Sequence, residues 1–383
     1  MSVTAAQGFR AAGIAAGLKE NGEPDLALVV NDGPRRDAAG VFTANRVKAA
    51  PVLWSEQVLR GGTVSAVVLN SGGANACTGP LGFQDTHATA ERAAAELGHS
   101  AAEIAVASTG LIGVRLPMDK LLPGLATAAA GLSRYGGDRA AIAIKTTDTV
   151  HKTAVAERDG WTVGGMAKGA GMLAPGLATM LVVLTTDADL PAAELDSVLR
   201  ETTRTTFDRV DSDGCMSTND TVLLLASGAS GIAPPREEFA GAVHAVCADL
   251  ARQLVADAEG ASKDIRVEII NAATEDDAVE AGRAVARSNL LKCAIHGEDP
   301  NWGRVLAAIG TTSAAFEPDR LSVAINGVWV CKNGAIGEDR DRVDMRPREV
   351  HITADLAAGD ASAVIWTNDL TADYVHENSA YSS

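Results

Sequence analysis

Between Lys168 and Ala188 the chain reads KGAGMLAPGLATMLVVLTTDA, and this stretch carries the clearest chemical signal in the sequence. A Gly- and Pro-rich segment runs straight into an apolar run, with Ala178-Thr179 at the junction. A hydroxyl residue at the first position of a buried strand can be held rigidly while the residues before it bend. Attack of the Thr179 Oγ on the Ala178 carbonyl would give an ester by an N→O acyl shift, and water would then cleave that ester. Cleavage would free the Thr179 amine, which could act as general base for the hydroxyl of the same residue. Taken alone, a threonine in this place also reads simply as the start of a strand.

The elements that would have to position this junction are legible around it. Residues 25–32 (DLALVVND), 64–70 (VSAVVLN) and 103–108 (EIAVAS) read as buried strands, the last running into the turn TGLIG. Residues 83–98 read as a helix ending in a glycine cap, and 120–132 as a helix with a proline-marked start. The glycine-rich stretch 161–175 reads as a loop, since glycine permits positive φ and close backbone approach. Residues 180–188 then read as a fully buried strand, and a helix starts near Asp189 with Pro191 in its first turn. Further on, 237–258 and 275–291 have helical periodicity and 264–271 reads as a strand. Asn326-Gly327 between two apolar runs signals a hairpin, and EVHITADL and SAVIWTNDL add two strands. The fold class expected is mixed α/β (α+β in its second half).

Composition narrows the function classes. With 383 residues, one large or two medium domains are expected. A net charge of −16 argues against nucleic acid, although a local cationic pocket could still take an anionic small substrate. Five scattered cysteines, an odd number with no CxxC pair, fit a reduced, cytoplasmic protein. The start has no signal-peptide pattern, and no window reaches the roughly 18 apolar residues of a membrane span. EDPNWGR places Asp299, Asn301 and Arg304 in what could be a metal or phosphate loop. No cluster has metal-ligand spacing, however, so no metal is expected. The glycines of 164–171 do not match a phosphate-binding loop, and no isolated nucleotide motif is present.

The segment KGAGMLAPGLATML resembles the cleavage-site signature of the ornithine acetyltransferases, also called glutamate N-acetyltransferases. The resemblance is collinear over nearly the whole chain. It runs through GFRAAGI, VFTANRVKAAPV, NSGGANACTG, STGLIGVRLPM, TTDT, STNDT, EDPNWGR and the terminal ENSAYSS. Gly73 and Cys215-Met216 depart from the family's pattern, and none of them is a position to which it gives a catalytic role.

The resemblance implies layered sheets and helices of the DmpA/ArgJ-like type with a smaller C-terminal lobe from about residue 260. Self-cleavage between Ala178 and Thr179 would give chains 1–178 and 179–383, assembled as a heterotetramer of two of each. Thr179 would be the nucleophile of both cleavage and catalysis, and Thr109 and Gly110 would form the oxyanion hole. Thr146 and Lys168 would contact the substrate, the lysine through a carboxylate. Glu259 would pair with the ornithine ammonium, and Asn378 and Ser383 would hold the amino-acid head group. The reaction implied is ping-pong transfer of acetyl from N2-acetylornithine to L-glutamate in arginine biosynthesis. No cofactor is expected, with acetyl-CoA as an additional donor in a bifunctional member. An aminopeptidase or amidase sharing the nucleophile would use water as acceptor; Lys168 and ENSAYSS favour an amino acid. A third reading, an uncleaved binding protein, would run as one band near 39.3 kDa on a denaturing gel.

Overall fold

The computed structural model describes residues 2–174 and 180–380; Ala178, Thr179 and Ser383 lie outside them. The chain divides into two compact units, one of residues 1–208 and 215–257, the other of 209–214 and 258–382.

The first unit contains, in chain order, β1 (Phe9–Ile14), β2 (Leu26–Asn31), β3 (Asp37–Phe42), α1 (Ala50–Leu59), β4 (Ala66–Asn70), α2 (Gly79–Leu97), β5 (Ile104–Ser108), α3 (Met118–Ala130) and α4 (Gly137–Ala143). It continues with β6 (Lys152–Glu157), β7 (Thr162–Lys168), β8 (Leu181–Thr186), α5 (Ala192–Thr205), β9 (Thr221–Ala226) and α6 (Arg236–Ala256). Two sheets form, of order β1-β2-β4-β5 and β3-β9-β8-β7-β6. One face of the first sheet (Val29, Val67, Ala105) shares a core with Met166, Val183 and Leu223 of the second. The other face (Leu28, Val68, Val106) packs on Ala90 of α2 and Leu121 and Leu125 of α3. Strands buried on both faces need apolar residues at successive positions, which is why 26–30 and 66–69 are unbroken apolar runs. Helix α6 covers the far face of the second sheet, where Trp161 meets Phe239 at 5.8 Å between rings.

Two parallel pairs position the functional loops. β4 and β5 run parallel with Asn70 opposite Ser108, so the loops after both strands leave the same end of the sheet. β8 and β9 are parallel with Leu181 opposite Thr221, which sets residues 180 and 220 side by side.

The second unit contains β10 (Asp264–Ala272), α7 (Glu275–Ala286), α8 (Asn289–His296), α9 (Trp302–Ile309), β11 (Ser322–Ile325), β12 (Val328–Lys332), β13 (Ala335–Ile336), β14 (Glu349–Asp355), β15 (Ala361–Asn368) and α10 (Ala372–Ala380). Its sheet has the order β13-β12-β11-β14-β10-β15. The hairpin at Asn326-Gly327 forms, with φ of 46° and 82° at the two turn residues. The single helix expected over 275–291 is two, broken at Ser288, whose side chain caps α8 by accepting from the Leu291 N–H.

The glycine-rich stretch is the main correction. Up to Lys168 it is the buried strand β7, not a loop. At Gly164 a Cβ would come within 2.3 Å of the Ser2 carbonyl oxygen, so the glycine is there for close packing.

Candidate active site

Thr109 follows β5 directly and is 3% exposed. Its N–H donates to the Asn70 carbonyl at 3.0 Å, and its own carbonyl accepts from the Gly73 N–H at 3.0 Å. These bonds zip the loops after β4 and β5 together. Gly110 has φ 125°, and a Cβ there would lie 2.9 Å from the Gly73 nitrogen, so only glycine fits without strain. The Gly110 N–H has no hydrogen-bond partner among the described residues.

Lys168 closes β7 and is 2% exposed. Sequence reading placed it in a loop with few structural duties; it is instead a buried ammonium that donates to the Thr109 Oγ1 at 3.2 Å. An ammonium has no acceptor site, so Thr109 receives this bond and its hydroxyl proton remains available to another partner. Together with the Gly110 N–H, that hydroxyl is a second donor suited to a developing oxyanion.

Around Lys168 lies a buried charge cluster. The Asp148 carboxylate accepts from the Lys152 Nζ at 2.6 Å, the Gly169 N–H at 2.6 Å and the Thr146 N–H at 3.0 Å. Lys152, with no exposed side-chain surface, also bonds Asp257 at 2.5 Å. Burial works against the Asp148 charge, but the Lys168 and Lys152 ammoniums and the Gly169 N–H hold its pKa down to about 2. Thr146 thus sits on Asp148 through its backbone.

The motif STNDT ties these loops to the head of β8. The Asn219 side-chain amide donates to the carbonyls of Ala74 (2.6 Å) and Ser108 (2.8 Å). Asp220, fully buried, accepts from the Met180 N–H at 3.1 Å. Burial pushes the Asp220 carboxyl well above its ordinary range, against the pull of that N–H and of Lys168. Met180 is the residue that follows Thr179 in the chain.

In the second unit, Glu259 lies in the turn before β10. Its Oε2 accepts from the Asn378 side-chain amide of α10 at 3.0 Å. The structure therefore pairs Thr109 with Lys168 and Glu259 with Asn378. EDPNWGR is structural: Asn301 caps α9, accepting from the Arg304 N–H at 3.3 Å, and Asp299 is ion-paired with Arg340. Sequence reasoning missed Asp148, Lys152, Asn219, Asp220 and Asp257, although TTDT and STNDT, already singled out, contain three of them. All five cysteines are free thiols. No helix among the described residues is long and apolar enough to cross a membrane.

Comparison with known proteins adds the following. Residues 10–383 match the family model described as "ArgJ family". The arginine biosynthesis bifunctional protein ArgJ of Streptomyces avermitilis is 80% identical over 383 residues, covering 100% of both chains. The protein of the same name from Thermobifida fusca is 64% identical, again over 100% of both. A solved ornithine acetyltransferase from Mycobacterium tuberculosis, complexed with ornithine, is 61% identical. It covers 47% of this chain and 96% of its own, with a TM-score of 0.45.

Proposed function

Because this chain belongs to the ArgJ family, we propose that it is a self-cleaving glutamate N-acetyltransferase of arginine biosynthesis. Acetyl passes from N2-acetylornithine to Thr179 and then to L-glutamate. The observation that carries the reading is the Thr109–Lys168 pair: a buried ammonium fixes the Thr109 hydroxyl as an acceptor and leaves its proton for an oxyanion beside the Gly110 N–H.

In this mechanism the Thr179 amine takes the proton of its own hydroxyl as the oxygen attacks the acetyl carbonyl. Thr109 and Gly110 stabilise the tetrahedral intermediate, ornithine leaves, and glutamate takes the acetyl from the Thr179 ester. Lys168 binds a substrate carboxylate and Thr146 contacts the substrate, Asn378 and Ser383 hold the amino-acid head group, and Glu259 reads the ornithine ammonium. The roles of Thr146, Thr179, Glu259, Asn378 and Ser383 rest on the sequence motifs. Acetyl-CoA serves as a second donor for glutamate.

Cleavage gives chains 1–178 and 179–383. The order β3-β9-β8-β7-β6 interleaves strands of the two products within one sheet, which supports a stable complex after cleavage, here proposed as a heterotetramer of two of each chain. The enzyme works in the cytoplasm.

The test is direct. The purified protein runs as two bands that separate only in denaturant, and sequencing of one begins Thr179-Met180-Leu181. Glutamate is acetylated with N2-acetylornithine and, separately, with acetyl-CoA. Thr179→Ala abolishes cleavage and transfer, while Thr179→Ser keeps part of each. An intact, active single chain would overturn the proposal.

A further inference from the structure

Glutamate and ornithine share a head group but carry opposite charges on their side chains. The partner proposed for the ornithine ammonium, Glu259, cannot receive a carboxylate, so the acceptor needs a cation of its own. Lys19 is placed for that task by three independent contacts.

The fully buried Asp25 accepts from the N–H groups of Ala16 (2.6 Å), Leu18 (2.6 Å) and Lys19 (3.0 Å), which fixes the turn that presents Lys19. Leu18 packs on Gly72 so closely that a Cβ at Gly72 would lie 2.3 Å from the Leu18 Cβ. Gly72 precedes Gly73, whose N–H holds the Thr109 carbonyl. The Lys19 Nζ donates to the carbonyl of Lys145, the neighbour of Thr146, at 2.7 Å and to that of Pro24 at 3.2 Å. Two of its three N–H groups are thereby committed, and the third has no partner among the described residues. Lys19 also feels the charges of Lys168 and Asp148. Half-burial lowers its pKa first, Lys168 lowers it further, and Asp25, Asp148 and Glu23 act against them. Two ammoniums thus act on each other electrostatically in a protein of net charge −16, and their combined field suits a ligand with two carboxylates.

We propose that Lys19 is the specificity residue for the acyl acceptor: it binds the side-chain carboxylate of glutamate while Lys168 takes the α-carboxylate. This rests on the acetyl-transfer function proposed above.

The experiment uses the full-length chain with Lys19→Met and Lys19→Arg. Acetyl-enzyme is formed from N2-acetylornithine and discharged to glutamate or to glutamine, its neutral isostere. For Lys19→Met the ratio of kcat/KM for glutamate to that for glutamine falls about 10- to 100-fold, the worth of a hydrogen bond to a charged group. The loss lies in KM for glutamate and exceeds any loss in acetyl-enzyme formation by the same factor. Lys19→Arg recovers much of the ratio. Equal losses for glutamate and glutamine, or an equal loss in acetyl-enzyme formation, would make Lys19 a support of the loop and overturn the assignment alone. A wild-type acetyl-enzyme that discharges to neither amino acid would overturn the proposed function and this inference together.

Discussion

Thr109→Ala isolates the oxyanion donor. In the wild type the Lys168 ammonium donates to the Thr109 Oγ1 at 3.2 Å, so the hydroxyl proton is directed elsewhere. Alanine deletes this donor but keeps the backbone: the bonds of Thr109 to Asn70 and Gly73 are main-chain, and the Gly110 N–H is untouched. One such donor is worth about 2.7–4 kcal/mol in the transition state, so kcat should fall about 10²–10³-fold with KM changed little. The structural cost is smaller. Lys168 loses one acceptor but still faces the Asp148 charge, so about 1 kcal/mol and a Tm lower by about 2–4 °C are expected. The assay is the rate of acetyl-enzyme formation from N2-acetylornithine, followed by quenched flow and intact mass, beside a thermal melt. Thr109→Ser restores the donor and should recover most of the rate. A Thr109→Ala protein with normal kcat and raised KM would make Thr109 a ground-state binding residue and refute the reasoning.

Glu259→Gln should weaken acetyl-enzyme formation from N2-acetylornithine more than its discharge to glutamate, since only ornithine has a cationic side chain. Glu259 is half-buried, so the expected cost lies between under about 1 kcal/mol for an exposed pair and about 2–5 kcal/mol for a desolvated one. The readout is kcat/KM for each half-reaction, and equal losses would give Glu259 a structural role. Asp148 should make stability fall in acid. Its folded pKa of about 2 lies below the ordinary 3.8, so its contribution is complete above pH about 4 and is lost as pH falls toward 2. The amount is about 2 kcal/mol. Asp148→Asn should lower the urea midpoint at pH 7 and remove that part of the fall between pH 4 and 2; an unchanged acid limb would show that the charge is not held by the fold.

The sequence discloses the frame better than the charge. β2, β4, β5 and β8 are apolar runs, and runs buried on both faces cannot be mistaken for solvated turns. The Asn326-Gly327 hairpin is legible because both residues tolerate positive φ. β7 is not, because Gly164 and Gly165 look like loop residues until Ser2 and α6 are seen packed against the missing side chains. The break between α7 and α8 hides in a periodic stretch, where only the cap at Ser288 marks it. Lys152 and Lys168 are illegible for a deeper reason. Hydropathy assigns lysine to the surface, and what buries these two is Asp148, twenty residues from Lys168 in the chain and brought near only by pairing β6 with β7.

That pairing explains how an acidic protein maintains a cationic site. Lys152 and Lys168 bring two buried positive charges, Asp148 and Asp257 bring two negative ones, and the half-buried Lys19, which feels both Lys168 and Asp148, adds a third positive charge. A third carboxyl, Asp220, feels the Lys168 charge too. Burial pushes its pKa upward, and it accepts the Met180 N–H. A ligand with a second carboxylate calls for a cation besides Lys168, and Lys19, whose third N–H has no partner among the described residues, is placed for it.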